Sequence, residues 1–130
     1  MSKYFEPLGI LGGVVMGGVV YYVNSEYGFS PASIAALKQA TYTTLIGGSM
    51  MKLCENIAIS FKNKNLSKVT SAIVPSAITI GLTYLVHSMK GTPEPFNSTI
   101  PTILIGPPVF AWWGNKKRNR LEEIVNESKL

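Results

Sequence analysis

The sequence predicts an all-α integral membrane protein, an antiparallel bundle of four transmembrane helices. Three observations carry that expectation. Four long apolar runs alternate with short polar breaks. Charged residues make up 15% of the chain, where soluble domains carry about 25%. The basic residues collect at the ends of the apolar runs, as headgroup-facing charges do.

A length of 130 residues argues for one domain. The expected membrane domain covers residues 1–115, with spans at about 5–23, 32–60, 69–89 and 98–114, and a basic tail follows at 116–130. The net charge is +5. A nucleic-acid binder would gather that charge on one face or element. Here it flanks the runs, so the expected partners are membrane lipids and no nucleic acid.

The first run is uncharged after Glu6 and bracketed by Tyr4 and Phe5 at one end and Tyr21 and Tyr22 at the other. Aromatic rings favour the membrane–water interface. No small-residue cleavage site follows Val20, so this run reads as a permanent span rather than a leader. The second run opens on Ser30-Pro31, a helix cap followed by the first helical position. It is the least apolar of the four, with Lys38, Lys52, Glu55 and Asn56. The third opens near Ser67, a candidate cap, and Pro75 is expected to kink it. The fourth opens in Asn97-Ser98-Thr99 and ends at Trp112-Trp113, followed by Lys116, Lys117, Arg118 and Arg120. Two tryptophans before a basic cluster mark a lipid interface.

One set of flanks holds Lys3, then Lys62, Lys64 and Lys68, then the Lys116–Arg120 cluster; the opposite set holds Lys90, with Lys38 within reach. The positive-inside rule puts the first set, and both termini, in the cytoplasm. A multi-pass protein of a bacterial cytoplasmic membrane is expected. Ser128-Lys129-Leu130 matches a peroxisomal signal, but that signal addresses soluble cargo, so the match reads as coincidence. Asn97-Ser98-Thr99 fits the glycosylation pattern, which is short enough to arise by chance. The tail carries Leu121, Ile124 and Val125 at helical spacing, which suits either a short amphipathic helix or a frayed solvated end.

Four features could carry function. Gly9, Gly13 and Gly17 recur every four residues and place a small ridge on one helix face, where another backbone can approach closely. The second run has a matching ridge, Ala36, Ala40, Thr44 and Gly48. The two ridges either pack together within one chain, or the first packs on copies of itself. Next, Lys38, Thr41, Ser49, Lys52, Glu55 and Asn56 share a broad polar face. Ionisable groups within a span are candidate pathway or partner residues. Lys52 and Glu55 sit three apart and can pair, and the lysines can snorkel to the interfaces. Then Gly106-Pro107-Pro108 interrupts the fourth run and frees the carbonyls of Ile103 and Leu104. A kink there fits the helix around its neighbours, whereas a broken helix would line a pathway. Finally, His87 lies beside a loop stiffened by Pro93 and Pro95. A lone histidine there serves amphipathic packing more readily than pH sensing or metal binding.

Catalysis finds no support in the sequence. Asp is absent, and Cys54 and His87 fall near opposite ends of their spans. No cofactor, metal or catalytic group is expected. The preferred reading is a non-catalytic structural or assembly subunit, as a homo-oligomer or within a larger membrane complex. The alternative is a small oligomeric channel or transporter lined by the second run's polar face and the break in the fourth.

Overall fold

A computed structural model describes residues 6–89 and 91–130. The expectations on Lys3, Tyr4, Phe5 and Lys90 lie outside the described residues. Helix α1 spans Leu8–Val23, and a 3-10 turn at Ser25–Tyr27 leads into α2, Phe29–Tyr42. A π-helical turn, Thr43–Gly47, joins α2 directly to α3, Gly48–Ser60. Helices α4, Lys64–Met89, and α5, Pro95–Glu127, complete the chain. The result is four helical rods, the second being residues 29–60, with no strand among the described residues.

Local chemistry explains the boundaries. Pro7 precedes α1, and Asn24 ends it by donating from Nδ2 to the Val20 carbonyl at 2.9 Å. Gly28, at φ 94°, makes the reversal into α2 that an L side chain resists. Gly28, not Ser30, is therefore the N-cap, and the helix starts at Phe29, ahead of Pro31. The cap of α4 is Asn63. Its Oδ1 accepts from the amides of Asn65 at 2.9 Å and Leu66 at 3.1 Å, as an N-cap side chain should. Ser67 is no cap: its hydroxyl donates to the Ala58 carbonyl and ties α4 to α3.

Helix α5 departs most from expectation. It starts at Pro95 rather than near residue 98 and runs 33 residues, past Trp113 and through most of the basic tail. Lys, Arg, Glu and Leu are good helix formers, so a change from apolar to charged residues does not end a helix. The helix also continues through Pro101, Pro107 and Pro108. The prolines remove donors without breaking the rod, which packs along α4 as its most extensive neighbour. Pro75 likewise lies inside a continuous α4.

Polarity is distributed the reverse of a soluble bundle. The buried side of α4 carries Ser67, Ser71, Ser76, Thr79, Thr83 and His87. Its exposed side carries Val69, Ile73, Ile78, Leu82, Leu85 and Met89. The packed apolar core is a small cluster of Met51, Cys54, Phe110 and Trp113. Among the described residues one helix, α4, is both long and apolar enough to cross a membrane by itself, with mean hydropathy 1.7. Helix α1 is apolar but 16 residues long.

Candidate functional site

The glycine ridge of α1 lies on the small ridge of the second rod, within the chain. A Cβ on Gly9 would stand 2.9 Å from the Cα and amide nitrogen of Gly48 and from the Thr44 carbonyl. One on Gly13 would run into the Thr44 hydroxyl and stand 2.7 Å from the Ala40 carbonyl. One on Gly17 would stand 3.0 Å from Ala40 Cβ and 3.2 Å from the Ala36 carbonyl. Backbone meets backbone along three successive turns. This face is therefore covered by the chain's own second rod.

At one end of the bundle, here the Arg118 end, charges converge from three rods. Glu55 Oε1 accepts from Lys52 Nζ at 3.0 Å, and Glu55 Oε2 meets Lys117 Nζ at 3.2 Å. Lys117 also lies 4.4 Å from the Trp113 ring centre, and Lys116 lies 5.1 Å from that of Trp112. Arg118 does not face headgroups as expected. It is 9% exposed and donates to the carbonyls of Ala58 at 3.3 Å, Phe61, and Lys62 at 3.1 Å. The physical reason is that the last carbonyls of α3 have no helical donors. A guanidinium offers five donors in a fixed fork, and its charge suits a helix C-terminus. Glu122 accepts from Arg118 Nε at 3.2 Å and from Lys64 at 2.6 Å. The Lys64 bond first, then Arg118, holds the Glu122 carboxyl below its ordinary range. Arg120 is exposed.

At the opposite end, the Thr92 end, the polar groups are mostly neutral. His87 is buried between Gln39 Oε1 and Thr92 Oγ1, each 3.0 Å from a ring nitrogen. Lys38 Nζ donates to Thr92 Oγ1 at 3.2 Å, and Gln39 Nε2 donates to Thr43 Oγ1 at 2.8 Å. One assignment serves this chain throughout. Lysine only donates, so the Thr92 hydroxyl accepts from it and donates to Nδ1; the Nε2 proton then goes to Gln39. Asn24 Nδ2 donates to Ser98 Oγ at 2.8 Å, and the Tyr27 hydroxyl donates to Glu94. That carboxylate pushes the Tyr27 hydroxyl above its ordinary pKa. His87, expected as an isolated interfacial residue, is thus the middle of a network.

The polar face expected on the second rod divides. Lys38 joins the Thr92 end, and Lys52 and Glu55 join the Arg118 end. Ser49 donates to its own helix at the Leu45 carbonyl, 2.9 Å away, and Thr41 and Asn56 are exposed. Cys54 is buried and donates to the Phe110 carbonyl at 3.2 Å, in a cluster separate from His87. Gly106 sits in an apolar crevice of about 280 Å³ between α1 and α5, floored by the π turn and bounded by Leu8, Val15, Gly47, Met51 and Phe110. Pro107 and Pro108 flank this crevice without lining it. Gln39, Thr92, Lys117 and Arg118 are the partners that spacing along single helices could not reveal; the only signal was the density of cations after Trp113. No family model, no curated protein and no solved structure matches the chain.

Proposed function

We propose that the chain is a four-span membrane protein acting as a non-catalytic structural or assembly subunit. The observation that carries this reading is the inverted polarity of the bundle. Small and hydroxyl side chains lie between the helices, and Leu, Ile and Val face outward. Water would penalise such a surface, whereas in lipid no hydrophobic drive draws apolar side chains inward, and small residues permit close packing.

Depth supports the same reading. A ~30 Å hydrocarbon core needs about 20 helical residues. Counted from the Thr92 end, that reaches Gly48 from Phe29, Thr70 from Met89 and Gly114 from Pro95. Gly114 abuts Ser71 and Cys54, so these positions share a level. Glu55, Asn56, Lys116 and Lys117 then lie past the core, among headgroups, and Lys52 lies within a turn of that level and can snorkel to it. Arg118 is at the same depth but turned inward, and the second span ends near Cys54. Of the charges that made the second run look unlike a span, Lys52 and Glu55 lie at this boundary, whereas Lys38, the tenth residue counted from Phe29, lies within the core and donates to Thr92.

The test is extraction. Membranes from cells expressing the full chain are washed at alkaline pH, and the detergent-solubilised protein is weighed by native mass spectrometry. Retention in the washed membrane, with a defined oligomer or a co-purifying membrane protein, supports the reading. Release into the wash overturns it. The channel or transporter reading draws on the buried Ser and Thr stripe of α4. It predicts ion or solute flux in liposomes that Lys52→Leu alters without altering assembly.

A further inference from the structure

We propose that the crevice between α1 and α5 seats an acyl chain of an anionic phospholipid, whose phosphate rests on Lys52, Lys116 and Lys117. The inference rests on the membrane reading above.

The crevice and the cations belong to one track. On α5 the crevice is lined by Thr102, Gly106 and Phe110. The same stripe, at steps of three or four residues, continues to Trp113 and then to Lys116 and Lys117. On the second rod the lining passes from Thr43 through Gly47 to Met51, and the next step of four is Glu55. The tracks meet physically: Met51, Phe110 and Trp113 pack together, Lys117 lies over Trp113, and Lys117 and Lys52 both bind Glu55. Helix α1 starts at Leu8 and walls the crevice.

Charge and shape select the occupant. Among the described residues, Lys52, Lys116 and Lys117 gather around Glu55 at the mouth, and Glu6 precedes α1 nearby, its amide on the Gly48 carbonyl. Lys52 and Lys117 keep 26% and 18% of their side chains exposed, so their ammonium groups retain donors for an anion. The Trp113 indole N–H is buried without an acceptor among the described residues. The crevice walls are apolar from Val15 to Phe110, which suits a hydrocarbon chain and no charged solute. From Leu8 to Val15 it extends roughly 10 Å along α1, at about 1.5 Å per residue. The glycines make the room: a Cβ on Gly106 would meet nothing closer than the Phe110 ring at 3.9 Å.

The experiment is native mass spectrometry of the full chain. The protein is exchanged into detergent with equal amounts of a phosphatidylglycerol and a phosphatidylcholine of the same acyl chains. We expect one phosphatidylglycerol retained roughly tenfold over phosphatidylcholine, in line with the attraction of a few lysines for anionic lipid. Lys116→Gln with Lys117→Gln should abolish that preference, and Gly106→Leu should reduce retention of both lipids. Circular dichroism confirms that each variant folds; the surface lysine pair keeps the test open if Gly106→Leu does not. Equal retention of both lipids by the unaltered chain overturns the proposal. So does a lipid-free dimer, which would place a second copy's helix in the crevice. Alkaline extraction separates the two levels: a chain retained in membranes without lipid preference sinks the lipid site alone, and a chain released sinks the membrane reading as well.

Discussion

The two ends of the bundle are fastened by different chemistry. At the Thr92 end a histidine, a glutamine and threonines form a buried relay of hydrogen bonds, with one lysine at its edge. At the Arg118 end ion pairs and a guanidinium gather from α3, α4 and α5, and several of them reach the surface. A neutral network inside a bundle is stable only when every donor finds an acceptor, because an unmet buried group costs about 1–3 kcal/mol. A surface ion pair tolerates loss better, at about 0–1 kcal/mol. The exception is Arg118, which is buried and serves three carbonyls. The ends therefore differ less in strength than in how each fails.

The sharpest break at the charged end is Arg118→Met. It keeps the apolar stem and removes the guanidinium donors to Ala58, Phe61 and Lys62, leaving the Ser67 hydroxyl on Ala58. Charged hydrogen bonds contribute about 1.5–3 kcal/mol, so a loss near the top of that range is expected in thermal unfolding in detergent. A change of less than about 0.5 kcal/mol would show that water or lipid satisfies those carbonyls. At the neutral end, Gln39→Leu strands one His87 nitrogen and should cost about 1–3 kcal/mol. Gln39→Glu should restore part of it by returning an acceptor. If both variants melt together with the unaltered chain, the His87 relay is not structural.

Acidification should separate the ends with the smallest effect. The Glu122 carboxyl sits below its ordinary value of 4.5 in the folded chain, because Lys64 and Arg118 bind it. A depressed acid contributes stability above its unfolded pKa and loses it as the pH falls through the folded one. Melting temperature should therefore hold steady above pH 5 and dip slightly below about pH 4, at the fully exposed scale of a surface pair. Lys64→Gln should flatten that dip. A dip of unchanged size in Lys64→Gln would assign it to another carboxylate.

Much of the architecture was legible from patterns along single helices. The four apolar runs became four rods, and the two small ridges, each with a period of four, lie against each other. Two misreadings share a cause. The inward turn of Arg118 and the burial of His87 depend on partners 60 and 48 residues away. Sequence spacing reports which residues share a face, not what that face meets. The tryptophan and lysine cluster showed where cations concentrate, and only packing could decide that Arg118 turns in while Arg120 stays out. The caps failed for a local reason: Ser30 and Ser67 are good caps by type, but Gly28 could take a positive φ and Asn63 stood one residue before α4.

The π turn at Thr43–Gly47 gives the second rod a phase. Its α-helical halves, α2 and α3, carry Gln39 to one network and Glu55 to the other. Each residue of an α-helix advances roughly 100° around the axis and ~1.5 Å along it. The turn is wider than its neighbours and holds an extra residue. Deleting one residue there would turn α3 by about a quarter circle relative to α2, and Glu55 would swing away from Lys117 while Gln39 stayed beside His87. The two ends of the protein are geared to each other through a single surplus residue.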